Sequence, residues 1–176
     1  TAYGVPCISG KDSMKNDYQI GRTKISIPPT ILYSVIGFIR DVRQAVTMDA
    51  KHPGDLVYIV GETKEELGGS EWFALKNGIG NTVPRVNAAN ALKIYRALHR
   101  AMQKGVVASC HDCSDGGMAV AMAETALAGM LGMDIDLKHV PYTGRKRNDY
   151  LLFSETASRF IVTVHPENQR LFDKIM

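Results

Sequence analysis

Cysteine is scarce in this chain, with three residues in 176. So sparse and odd a set does not build a disulfide framework, and it favours a reducing, cytoplasmic setting. Charge of one sign is not in excess either: the formal net charge is +3. Apart from Arg145-Lys146-Arg147 the basic residues are scattered, which excludes a nucleic-acid binder of the usual basic-patch kind. No apolar run reaches membrane-spanning length and no signal peptide is visible, so no membrane role is expected. Repeats and low-complexity tracts are absent. An initiator methionine is missing too, and the chain stops at Leu171-Phe172-Asp173-Lys174-Ile175-Met176, which reads as part of an amphipathic helix. The expectation is a fragment of a longer protein.

What is present is ordinary for a soluble globular protein: 45% hydrophobic and 22% charged residues. The length suits one sizeable domain or parts of two small ones. Thr30 to Arg40 (TILYSVIGFIR) is rich in β-branched and aromatic residues and reads as a buried strand. Lys51-His52-Pro53-Gly54-Asp55 is a turn signal, and a domain boundary is placed there, dividing 1–53 from 54–176. Leu56 to Val60 (LVYIV) reads as a strand, Thr63 to Leu67 as a helical turn, and Ser70 as the cap of a short helix through Lys76. A long helix is predicted from Val86 to Lys104, with Leu92, Tyr95, Leu98 and Met102 on one face and Gly105 as its stop. Val106 to Ser109 reads as a short strand, Cys110 onward as a loop, and Gly117 to Met130 as a buried helix. Asp134 to Leu137 (DIDL) and Phe160 to Val164 (FIVTV) read as strands, and Pro166 as the first turn of a last helix. The fold class expected is α+β, two-layered from Gly54 onward, preceded by the end of a β-rich domain.

Four stretches carry polar chemistry. Gly10-Lys11-Asp12-Ser13-Met14-Lys15-Asn16 contains Gly-Lys-x-Ser but lacks the upstream glycine of a P-loop. It suits either a phosphate with a bridging Mg²⁺ or a polar surface turn. Ser109-Cys110-His111-Asp112-Cys113-Ser114-Asp115-Gly116-Gly117 places a Cys-x-x-Cys pair around a histidine. Structural zinc wants four ligands and finds two here; a redox dithiol stays open because Cys113 precedes a helix. The other reading takes Asp112 as a cation ligand, with Ser114 and the Gly116–Gly117 helix start facing a phosphate. In Ser154-Glu155-Thr156-Ala157-Ser158-Arg159 the acid and the arginine stand four apart, as a structural ion pair or as substrate contacts. Leu67-Gly68-Gly69-Ser70-Glu71 is another possible anion seat, with Trp72 and Phe73 beside it as core.

In this order the four stretches resemble the phosphoribosylformylglycinamidine synthases (formylglycinamide ribonucleotide amidotransferases), of the aminoimidazole ribonucleotide synthetase superfamily. The resemblance covers almost the whole chain and matches the second half of a duplicated synthetase region. It implies ATP-dependent ligation: glutamine-derived ammonia attacks the activated amide of formylglycinamide ribonucleotide, giving an amidine, ADP and phosphate in purine biosynthesis. It implies ATP and Mg²⁺ as cofactors, with Asp112 on the metal and Ser114 on the nucleotide. Gly10 and Ser13 match residues that contact ATP and substrate. Lys11 stands where the small multi-subunit form has a metal-holding asparagine; a protonated lysine cannot ligate, which leaves Asp12 for that role. The GKDS pattern resembles the large single-chain form. Partners implied are the first half of the synthetase and a glutaminase domain or subunit. No catalytic residue is assigned, and the chain alone is expected not to complete the reaction. Two alternatives stand beside this one: a structural half-module holding an unhydrolysed nucleotide, and a redox or metal protein built on Cys110 and Cys113.

Overall fold

The computed structural model describes residues 2–11, 16–28 and 30–176. It divides into two compact units, Thr1–Arg40 and Asp41–Met176. In the first unit, β1 (Asp17–Ile20) and β2 (Thr23–Ser26) form an antiparallel hairpin, with Asp17 opposite Ser26 and Ile20 opposite Thr23. Gly21 takes a positive φ of 57° in the turn, which supplies the reversal a two-residue hairpin needs.

The strand expected over residues 30–40 is not formed: these residues carry no regular structure. Leu32 is 89% and Phe38 96% exposed. Composition gave the segment strand character, but a strand exists only where another strand accepts its ladder, and among the described residues β1 pairs only with β2.

The second unit is built around a three-stranded antiparallel sheet of β3 (Leu56–Val60), β5 (Ser109–Asp112) and β7 (Phe160–Val164), in the order β3-β7-β5. Alternation along the strands sorts the core into two clusters. Tyr58, Val60, Val162 and Val164 pack on one side with Leu98 and Ala101 of α2 (Ala88–Gln103) and Phe172 of α5 (Gln169–Ile175). Val57, Ile59 and Ile161 pack on the other with Met118 and Ala121 of α3 (Gly117–Gly129) and Leu151 of α4 (Asn148–Phe153). Helices therefore cover both faces of the sheet: the class is α+β as expected, with one layer more than the two anticipated. Burying Phe172, 1% exposed, is worth about 1.5–3 kcal/mol on its own.

The remaining elements are short. The β4 strand (Thr63–Lys64), where a helical turn was expected, pairs in parallel with β6 (Tyr142–Thr143). The α1 helix (Glu71–Leu75) starts as expected at Ser70, whose Oγ accepts the Phe73 N–H at 3.3 Å. The α2 helix is capped by Asn87 and closed at Gly105, φ 66°. The DIDL strand does not form: Asp136 instead caps a 3-10 turn at Leu137–His139, accepting the Lys138 N–H at 2.9 Å. Pro166 opens a 3-10 turn that leads into α5. Among the described residues no helix is long and apolar enough to cross a membrane.

Candidate functional site

The β5 strand does not end at Ser109; it runs through Cys110 to Asp112, which pairs with Phe160 of β7, and Cys113 follows directly after it. Alternation then separates the two thiols. Cys110 packs against the α2–α5 cluster, while Cys113 belongs to the α3–α4 cluster. All three cysteines are free. Burial, with the Asp112 and Cys113 charges adding, pushes the Cys110 thiol up to about 12. Burial likewise raises Cys113, to about 11, against the pull of Arg159. Thiols that face opposite sides of a sheet and stay protonated supply neither a chelate nor a redox pair, so the dithiol alternative loses its basis.

Asp112, delivered by the strand end, is 64% exposed at the side chain. Ser114 Oγ donates to Asp112 Oδ2 at 2.5 Å. Behind them, His111 Nε2 lies 2.7 Å from Glu124 Oε2 and Nδ1 lies 3.6 Å from Asp112 Oδ1. The Cys113 N–H donates to the Arg159 carbonyl at 2.9 Å, tying the start of the loop to β7. A cavity of about 380 Å³ opens here, lined by Asp112, Ser114, Asp115, Glu155, Arg159 and Tyr95 among others.

The glycine pair behaves differently from a ligand seat. Gly116 (φ 76°) donates its N–H to Glu155 Oε1 at 2.8 Å, and Gly117 (φ 67°) donates to the Ser114 carbonyl at 3.0 Å. A Cβ on Gly117 would collide with the Ser154 carbonyl oxygen and lie 2.9 Å from the Phe153 carbonyl carbon. Glycine is required there because α3 starts hard against the end of α4. The Leu67–Glu71 stretch is likewise self-satisfied: Gly69 N–H donates to Ile79 O at 2.6 Å, Ser70 N–H to Leu67 O at 3.2 Å, and Glu71 N–H to Glu155 Oε1 at 2.9 Å. It is no anion seat. Trp72 stacks on Phe153, centroids 4.1 Å apart and planes 3° from parallel.

Glu155 and Arg159 do not form the ion pair expected from their spacing. Arg159 is 1% exposed and donates Nε to Thr156 O at 2.9 Å, Nη1 to Thr63 Oγ1 at 2.9 Å and Nη2 to Ser154 O. Burial lowers its pKa, opposed by Cys113, Glu66 and Glu155. The arginine knits β4 to the approach of β7.

Asp112 and Ser114 are thus brought together at one cavity. Gly10 and Lys11 lie in the first unit, both exposed, and Asp12 and Ser13 fall outside the described residues. Among the described residues no group of three or more His, Cys, Asp or Glu is disposed to hold a metal ion by itself. Mg²⁺ does not need one: it takes one or two carboxylates and completes its shell with phosphate oxygens and water. The exposed Asp112 carboxylate fits that requirement.

The family model described as AIR synthase related protein, C-terminal domain, matches residues 52–176. The chain belongs to the AIR synthase related family. Within that family it is 37% identical over 164 residues to the phosphoribosylformylglycinamidine synthase subunit PurL of Alkaliphilus metalliredigens, covering 93% of this chain and 21% of the relative. Solved structures share the fold: T. maritima PurL complexed with FGAR has a TM-score of 0.67 at 23% identity, covering 76% of this chain and 23% of that one. T. maritima PurL complexed with ATP has a TM-score of 0.59 at 24% identity, covering 76% and 21%. The chain spans only about a fifth of the length of that curated relative. The sequence motif points to Asp112 and Ser114 as candidates; it does not show Glu155 as a link between loops, because its partners Glu71 and Gly116 lie far away along the chain.

Proposed function

We propose that the chain is part of an ATP-dependent ligase that converts formylglycinamide ribonucleotide to formylglycinamidine ribonucleotide with glutamine-derived ammonia. The observation that carries the reading is the Asp112–Ser114 pair lining the 380 Å³ cavity, in a chain with 37% identity to a phosphoribosylformylglycinamidine synthase subunit. Asp112 would hold Mg²⁺, and the ion would screen the phosphates from the carboxylates of Asp112, Asp115 and Glu155 that line the cavity. Ser114, fixed by its bond to Asp112, would contact the nucleotide. By the family resemblance, Gly10 and Lys11 would contact nucleotide, Ser13 substrate and Asp12 metal. The rest of the synthetase and a glutaminase domain or subunit would be the partners, and the setting cytoplasmic. Residues 1–53 would close an N-terminal domain and 54–176 form most of a C-terminal one.

A second reading, a half-module that holds a nucleotide without hydrolysing it, has one observation in its favour. The N–H groups of Gly116 and Gly117, which a reacting phosphate could use, are already bonded within the protein. Asp112→Asn in the full-length synthetase separates the two. A ligase site loses Mg²⁺–ATP affinity and amidine formation by about tenfold or more. A structural half-module loses thermal stability while turnover at saturating ATP stays near wild type. No change in either measurement would reject Asp112 as a nucleotide-site residue.

A further inference from the structure

We infer that Glu155 is a positioning residue of this cavity, holding the turn that carries Ser114 by joining it to the start of α1; the inference rests on reading the cavity as a nucleotide site. One oxygen does the joining. Glu155 Oε1 accepts the Glu71 N–H at 2.9 Å and the Gly116 N–H at 2.8 Å. Both donors stand at helix starts, where N–H groups have no partner within the helix and a negative charge is favoured. A carboxylate accepting two such donors forms charge-assisted bonds, stronger than neutral ones.

The backbone of Glu155 is itself held in place. The Glu155 N–H donates to the Glu66 carbonyl at 3.2 Å, and the Glu66 N–H, bonded to the Lys64 carbonyl at 2.8 Å, also reaches Ser154 Oγ at 3.4 Å. Ser154 is fully buried and Glu66 is 6% exposed, so this anchor lies in the interior. Gly117 brings α3 close enough for the bond, since any Cβ there would strike the backbone of residues 152–154.

The turn from Asp112 to Gly116 is consequently fixed at both ends. Asp112 is held in the sheet by its pairing with Phe160, and Cys113 by its bond to the Arg159 carbonyl. Glu155 holds Gly116. Only Ser114 and Asp115 lie between, and Ser114 reaches Asp112 because the far end cannot drift. Releasing Gly116 frees the turn and spreads the Asp112–Ser114 pair without touching either side chain.

The test is made in the full-length synthetase with Mg²⁺ and a non-hydrolysable ATP analogue, alongside steady-state kinetics. Glu155→Ala removes both bonds and is expected to raise the dissociation constant of the analogue and KM for ATP by about tenfold, with KM for the other substrates unchanged. Glu155→Gln keeps an oxygen that can accept both donors and is expected to recover affinity to within about threefold. Should Glu155→Ala fail to fold, Glu155→Asp, one methylene too short to span both donors, is read in its place with the same expectation. Loss from Asp112→Asn without loss from Glu155→Ala would overturn the positioning role and leave the nucleotide site standing. No loss from Asp112→Asn would overturn the site and this inference with it. Tighter binding in Glu155→Ala, or equal losses in the Ala and Gln variants, would also overturn it.

Discussion

Replacing Gly117 by alanine should cost this chain more than replacing Gly105, although the two backbones are nearly the same, φ 67° and 66°. An alanine in the left-handed region costs about 1–2 kcal/mol at either position. At Gly105 nothing is added, because a Cβ there meets no atom within 4 Å. At Gly117 the Cβ meets the Ser154 carbonyl oxygen, the Phe153 carbonyl carbon at 2.9 Å and the Leu152 oxygen at 3.0 Å. These are backbone atoms and cannot rotate away, so α3 or α4 must shift, at about 1–3 kcal/mol for overpacking. The shift also loads the adjacent Gly116–Glu155 bond. Gly117→Ala should therefore lose about 2–5 kcal/mol and Gly105→Ala about 1–2, against a typical total of about 5–15. Urea unfolding followed by circular dichroism and by Trp72 fluorescence measures both, with the midpoint moving at constant slope. The tryptophan stacks on Phe153, at the end of α4, and so reports on the displaced region itself. Equal losses from the two substitutions would refute the close approach of α3 to α4.

Two further outcomes follow from the charge environments. With Cys110 pushed up to about 12 and Cys113 up to about 11, neither thiol is ionised at pH 8. A disulfide-exchange reagent should titrate the exposed Cys7 quickly in the native chain and the other two only after denaturation; three fast thiols would contradict the placement. Side-chain hydrogen bonds from Lys51 and Thr47 hold the Asp49 carboxyl down at about 2, below its ordinary value of 3.8. Because the folded value is the lower one, the contribution to stability is present above about pH 4 and disappears as pH falls through about 2. An NMR titration of that carboxyl should have its midpoint near 2, and a midpoint near 3.8 would show the bonds are not kept.

Much of the second unit was readable because two of its strands are dominated by apolar residues and its long helix has a stop. LVYIV is a continuous apolar run, FIVTV is interrupted only by Thr163, and Gly105 ends α2 where expected. Other elements depend on partners that no local pattern reveals. TILYSVIGFIR has the composition of a strand, and among the described residues no strand pairs with it. DIDL alternates, yet Asp136 spends its carboxylate on a turn. The β4 and β6 strands are two residues each, too short to announce themselves. In the site, Asp112 and Ser114 were visible as neighbours in sequence. The dithiol alternative, left open by the spacing, fails because Cys110 in the strand and Cys113 just past its end pack into different clusters. Glu155 and Arg159 misled because i, i+4 spacing means contact only on a helix, and residues 154–159 are irregular, with Ser158 at φ 64°.

The order of the sheet has a consequence for how the molecule is made. Its middle strand, β7, is the last of the three to leave the ribosome, and Leu56 waits for Val164, more than a hundred positions later. Until then β3 and β5 have no ladder to join, and the apolar sides of α2 and α3 have no floor. Such distant pairing slows folding and leaves early strands open to wrong partners. A nascent chain halted before Phe160 should remain without its sheet and be cleaved readily by protease, whereas one extended past Val164 gains all three strands together.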